Sequence, residues 1–228
     1  MTDRIARLLA AQREFVANAS HQLRTPLTGL RLRIEEARAA GVSPDAAVDL
    51  DAGVSEVDRL AQIVEELLVL GRAGERELPG ERLDLRELAA HARERWRATA
   101  AERQIVLDSD LGETRPVWGA RADVERALDA LVENALRYSA SGSRVTISAA
   151  AAGIAVNDRG HGVAEDERRA IFDRFHRGSA GRSSPGGTGL GLTIARELAG
   201  KWGGEVSIDN RSGGGAVATL TFPNGRHD

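Results

Sequence analysis

The feature that most constrains this chain is an apolar seam that runs twice through its first third. Leu9, Gln12, Val16, Ala19, Leu23, Pro26 and Leu30 recur at alternating three- and four-residue steps, the spacing of one face of a bundled or coiled helix. The stretch AGVSPD at 40–45 interrupts it, with Ser43 placed as N-cap and Pro44 at the first helical position. A second seam follows through Leu50, Val54, Val57, Ala61, Val64 and Leu68. Two helices joined by so short a loop fold back antiparallel. A helix pair alone buries little apolar surface, so the pattern predicts a homodimer in which two hairpins make a four-helix bundle.

Beyond a glycine- and proline-marked linker at 73–82, the pattern changes. All three tryptophans and the glycine clusters lie here, among short strand-like runs. LRELAAHARERWRATA and ADVERALDALVENALRYS read as amphipathic helices, and QIVLDS as a strand. RVTISAA with GIAVND, and GEVSIDN with GAVATLTF, read as strand pairs, while GTGLGLTIARELAGKWG runs from a glycine-rich turn into a helix. The tight strand-to-strand connections predict an antiparallel or mixed sheet rather than a doubly wound one. The expected architecture is a helical hairpin over 1–72, the linker, and an α+β sandwich over 83–228.

Composition narrows the chemistry. The 228 residues are 42% hydrophobic and 29% charged, with a formal net charge of −3. That is enough apolar content for a sizeable core and no basic excess to suggest a nucleic-acid partner. The absence of cysteine excludes disulfides, thiolate metal sites and cysteine nucleophiles. No apolar run reaches the roughly 18 residues of a membrane span, and the first residues lack the apolar core of a signal peptide. The expectation is a cytoplasmic chain, touching a membrane only through segments not present in it.

Three places stand out as candidates for chemistry. His21 lies between seam positions 19 and 23 and so points away from the seam. Thr25 is one turn on, and Pro26 bends the helix just beyond it. A neutral imidazole held on a helix is a competent nucleophile toward phosphorus; the plainer reading is a polar surface residue. DRGHG at 158–162 follows a strand: Asp158 is placed to accept hydrogen bonds from an adenine amino group, or the stretch is an ordinary turn. GGTGLGL at 186–192 leads glycines into a helix, so free amide groups and the helix dipole converge as they do on phosphate. It lacks the Walker G-K-[ST] ending, and Thr188 reads alternatively as a simple N-cap. Within LVENALRYS, Asn134 offers an amide oxygen suited to Mg²⁺ and Arg137 a guanidinium suited to phosphate, next to Tyr138. An amphipathic helix with a half-buried asparagine is the alternative.

Taken in order, these stretches resemble the motifs of two-component sensor histidine kinases. FVANASHQLRTPLTGL is similar to the H box, LVENALRYS to the N box, DRGHGV to the first glycine box, IFDRFHRG to the F box and GGTGLGLTIARELA to the second glycine box. The resemblance runs from about residue 4 to 223. It implies a dimerisation and histidine-phosphotransfer hairpin followed by a Bergerat (GHKL) ATP-binding domain. It implies His21 as phosphoacceptor, with Gln22 and Thr25 as its catalytic neighbours. It further implies Asn134 on Mg²⁺, Asp158 on adenine, Gly160 and Gly162 shaping the pocket, and Gly187, Thr188, Gly189, Leu190 and Gly191 around the phosphates of ATP. Residues 176–186 become an ATP lid, anchored by burial of Phe172 and Phe175. The implied partners are a second copy of the chain and the receiver domain of a response regulator, which such enzymes also dephosphorylate, with Thr25 in the position that places water.

The sequence departs from the family pattern in several places. Gln22 replaces the usual acidic residue after the histidine; a carboxamide orients an imidazole but takes no proton. Ala130 replaces the first asparagine of the N box, His161 a common proline, and Ala216 a common hydroxyl residue. Gln22 is the feature favouring an alternative, an ATP-binding pseudokinase or dimeric scaffold. A GHKL ATPase of the chaperone or mismatch-repair kind is disfavoured by the histidine hairpin.

Overall fold

The structure is a computed structural model that describes residues 23, 25–72, 79–176, 178 and 187–223. The chain divides into two compact units, one of residues 1–76 with 186–188 and one of 77–185 with 189–228. No helix among the described residues is long and apolar enough to cross a membrane.

The first unit is helical. Helix α1 spans 25–39 and helix α2 Pro44–Arg72. The break between them is built as the sequence suggests: the Ser43 hydroxyl accepts from the amide of Ala46 at 3.3 Å, and Pro44 opens α2 without wasting a donor. On α2 the seam is inward, with Val57, Val64 and Leu68 buried. On α1 the seam residues are not covered within the single chain. Leu23 and Leu30 are 48% and 47% exposed within one chain, and Pro26 is exposed too, whereas Leu27 and Ile34 are the half-covered residues. A helix in a four-helix bundle touches two neighbours, so its apolar stripe is wider than a single seam. Segment 187–188 groups with this unit, and the Thr188 hydroxyl hydrogen-bonds the Glu66 carboxylate on α2.

The second unit is a two-layer sandwich. Strands β1 (Glu81–Leu83) and β3 (Val117–Gly119) form a small antiparallel sheet. The main sheet has the order β2-β4-β5-β7-β6, from Val106–Thr114, Arg144–Ala151, Gly153–Asn157, Ala216–Thr221 and Glu205–Asn210. Only β2 with β4 is parallel; the other three pairings are antiparallel. Period-two alternation places Val145, Ile147, Ile154, Val156, Ala218 and Leu220 on the covered face. Against it lie α3 (Leu85–Glu102), α4 (Arg121–Tyr138) and α5 (Gly191–Lys201). Helix α3 starts at Asp84, whose carboxylate accepts from the Arg86 amide at 2.8 Å. Helix α4 contributes Val124, Leu128, Leu131, Val132 and Leu136, all nearly inaccessible; each such side chain is worth about 1.5–3 kcal/mol of burial.

The helices and strand pairs of this unit form where the sequence places them. The small sheet is the exception: two runs of three residues carry no readable period. It is held by the tryptophans. A side chain at Gly80 would strike both Trp118 and Trp202, and the Trp202 indole donates to Asp123 at 2.8 Å, alongside Lys201 at 2.9 Å.

Candidate functional site

Asp158 directly follows β5 and is 6% exposed. Its Oδ1 accepts from the amides of Gly160, at 2.7 Å, and Ala216, at 3.1 Å. Its own amide donates to the Ala216 carbonyl at 2.9 Å. Two backbone donors on one oxygen fix the carboxylate in place. Among the described residues Oδ2 has no protein donor, so it is the oxygen available to an external amino group.

The loop after Asp158 is glycine for steric reasons. A Cβ on Gly160 would lie 2.3 Å from the Tyr138 carbonyl oxygen, a backbone atom that cannot swing aside. Gly162 has φ +71°, and a Cβ built there would lie 2.7 Å from the Asn210 carboxamide oxygen. The end of α4 and the loop after β5 are thus in direct contact.

Helix α4 ties this loop to the N-terminus of α5. Ala130, Asn134 and Tyr138 are successive i, i+4 positions on one stripe. At one end, Gly191 packs its backbone toward the Ala130 methyl, 3.9 Å from a Cβ built at the glycine. At the other end lies the Tyr138–Gly160 contact. Asn134 sits between them, half-buried, about 12 Å covering the whole stripe at 1.5 Å per residue. Helix α5 begins after Leu190 with no side-chain cap, so its first amide groups keep the donor capacity that anions use. Thr188 is therefore not the N-cap that the sequence allows; it is buried with its hydroxyl on Glu66. Gly187 is buried as well, and the Leu190 side chain is fully buried.

Other expected residues fall differently. Arg137 pairs with Glu133 at 2.5 Å and both are largely covered, so its guanidinium already has a carboxylate partner. Phe172 is 9% exposed; Arg196 lies over its ring at 5.2 Å and donates to its carbonyl at 3.2 Å. The expectation that Phe175 is also buried is wrong: its ring is 55% exposed. The cause is local. Phe175 has φ +62°, and its amide donates to the Gly189 carbonyl at 3.0 Å. The backbone, not the ring, makes the contact, and a Cβ on Gly189 (φ +75°) would meet that backbone at 2.8 Å. Thr25 is exposed on α1, while His21 and Gln22 lie outside the described residues.

For a divalent cation the described residues offer no group of three or more carboxylate or imidazole ligands. The Asn134 amide oxygen fits Mg²⁺, which keeps several waters and relies on substrate phosphates rather than a protein cage.

Comparison with known proteins decides what this frame belongs to. Residues 11–76 match the His Kinase A (phospho-acceptor) domain, and residues 119–226 match the histidine kinase-, DNA gyrase B- and HSP90-like ATPase family. The chain belongs to the sensor histidine kinases. Sensor-like histidine kinase SenX3 of Mycolicibacterium smegmatis is 35% identical over 226 residues, covering 96% of this chain and 59% of that protein. SenX3 of Mycobacterium tuberculosis is 36% identical over 227 residues, covering 96% and 55%. The chain thus spans a little over half the length of these relatives. Among solved structures, full-length ShkA in complex with AMPPNP superposes with a TM-score of 0.71 at 26% identity, over 92% of this chain and 45% of that one. The second unit of this histidine kinase is accordingly a GHKL sandwich with a mixed sheet.

Sequence reasoning missed two residues that hold the site, Asn210 and Arg211. They sit in DNRSGGGA, which reads only as a polar hairpin turn.

Proposed function

We propose that this chain is the working core of a sensor histidine kinase that phosphorylates His21 from ATP and passes the group to an aspartate of a response-regulator receiver domain. The supporting observation is the α4 stripe. It joins the Asp158 loop, the Asn134 amide and the uncapped start of α5 along a line of nucleotide length.

Asp158 Oδ2 accepts from the adenine amino group, a contact that a guanine carbonyl would replace with repulsion. The first amides of α5 receive phosphate oxygens. The Asn134 oxygen, with the substrate phosphates, would hold Mg²⁺; the cation supplies charge neutralisation at the phosphates. An imidazole nitrogen lone pair of His21 attacks the γ-phosphorus as the bond to the ADP oxygen breaks, and the ring proton leaves to solvent. Positioning and electrostatics carry such transfers. Gln22 orients the ring through hydrogen bonds without accepting the proton. Thr25 places water for the reverse reaction on the regulator. The half-covered and exposed leucines of α1 support a homodimeric bundle, and the first unit works at the cytoplasmic face of a longer sensor.

The test is incubation with γ-labelled ATP and Mg²⁺. Acid-labile, base-stable label is expected on the parent chain and absent from His21→Ala, with Gln22→Glu labelled faster. Label surviving His21→Ala sinks the mechanism. An unlabelled parent that still binds ATP supports the scaffold reading that Gln22 favours.

A further inference from the structure

We infer that Asn210 and Arg211, at the β6–β7 turn, are positioning residues that set the adenine specificity of the site; the inference rests on the reading of Asp158 as the adenine acceptor.

The loop that carries Asp158 stiffens itself only at its start, through the Gly160 amide bond to Asp158 Oδ1. Gly160 and Gly162 give it no side chains to pack, and glycine has the most backbone freedom to lose. The rest of its order comes from a hairpin far away in sequence. The Asn210 carboxamide makes both bonds of a peptide group to one residue: Oδ1 accepts from the Val163 amide at 2.7 Å, and Nδ2 donates to the Val163 carbonyl at 2.8 Å. Arg211 Nη1 donates to the Asp158 carbonyl at 2.9 Å. Its backbone amide closes the turn onto the Gly215 carbonyl at 3.0 Å. Gly215, at φ +88°, lies so close to the Asp158 carbonyl that no side chain fits. The same hairpin supplies the Ala216 amide to Asp158 Oδ1. One turn therefore grips the loop at both ends, at residue 158 and at residue 163, and fixes the oxygen that stays free for the base.

Residue type matters. Asparagine offers one donor and one acceptor in peptide geometry; aspartate keeps the acceptor and loses the donor; serine lacks the reach for both. Arg211 gives a charged donor to a carbonyl on the loop's first residue. A loop that drifts loses the adenine contact first and the phosphate contacts least, since those come from the start of α5.

The test is calorimetric binding of ATP and of GTP to the full chain, with thermal unfolding alongside. Asn210→Ala is expected to weaken ATP by about tenfold, the loss of two modest hydrogen bonds, and to leave GTP nearly unchanged. The ATP-to-GTP preference therefore falls. Asn210→Asp should lie between parent and alanine. Arg211→Met should lower the same preference, with Arg211→Lys restoring part of it. ATP affinity within twofold of the parent in both Asn210→Ala and Arg211→Met overturns the inference. So does an equal loss of ATP and GTP, which marks a merely structural role. Asp158→Ala separates the layers: if it binds ATP like the parent, the adenine reading fails and takes the inference with it. If it loses ATP while the hairpin variants do not, only the inference fails.

Discussion

Asp129 shows what a single half-buried carboxylate costs in this fold. It lies on α4 under Trp96, whose indole donates to it at 2.8 Å, with Arg95 Nε at 3.3 Å. Burial pushes its carboxyl above the ordinary value of 3.8; the indole bond and the arginine oppose this without cancelling it. The folded chain therefore binds this proton more tightly than the unfolded chain does. The contribution to stability is fully present below 3.8 and is lost as pH rises through the raised folded value. Asp129→Asn keeps an oxygen for the indole and drops the charge. Urea unfolding over a pH series should show variant and parent alike in acid, with the variant gaining ground as pH climbs out of the carboxylate range. A difference that does not change with pH would mean that Arg95 fully compensates the half-buried charge.

At the scale of elements, α5 illustrates how position decides what a glycine is for. Gly191 opens the helix and packs close to α4; Gly200, near its other end, is exposed with open space around its Cβ position and an ordinary φ. Nothing in the fold requires glycine at 200. Gly200→Ala should therefore stabilise the second unit by roughly 0.5–1 kcal/mol, since alanine loses less backbone entropy. The expected readout is a rise of about 2 °C in its unfolding midpoint with ATP affinity unchanged. A fall in midpoint would show that the helix end needs glycine for its turn. The helices themselves were legible because each carries an apolar period over ten or more residues; β1 and β3, at three residues each, were invisible because their partners lie far off in sequence.

On the scale of the molecule, α1 carries more apolar surface than one chain covers. Leu23, Leu30 and Leu32 are about half exposed, at 48%, 47% and 55%. Water-facing leucines on a helix that already packs Leu27 and Ile34 are what a second hairpin would bury. Leu30→Glu is expected to shift the chain from dimer to monomer in sedimentation equilibrium, with ATP affinity within twofold of the parent because Asp158, Asn134 and α5 belong to the other unit. A dimer that survives Leu30→Glu would place the interface elsewhere.

The sequence by itself determined the order of the motifs, both hairpin helices with the Ser43–Pro44 start, the mixed sheet and Asp158 at a strand end. These depend on local spacing and capping, which a chain carries wherever it folds. Tertiary structure alone decided which oxygen of Asp158 stays available and why Gly160 admits no side chain. Each of these is set by atoms brought together over long separations, such as the 47 residues between Val163 and Asn210 or the 58 between Asp158 and Ala216. A residue's own neighbours in sequence hold no record of which distant backbone will close against it.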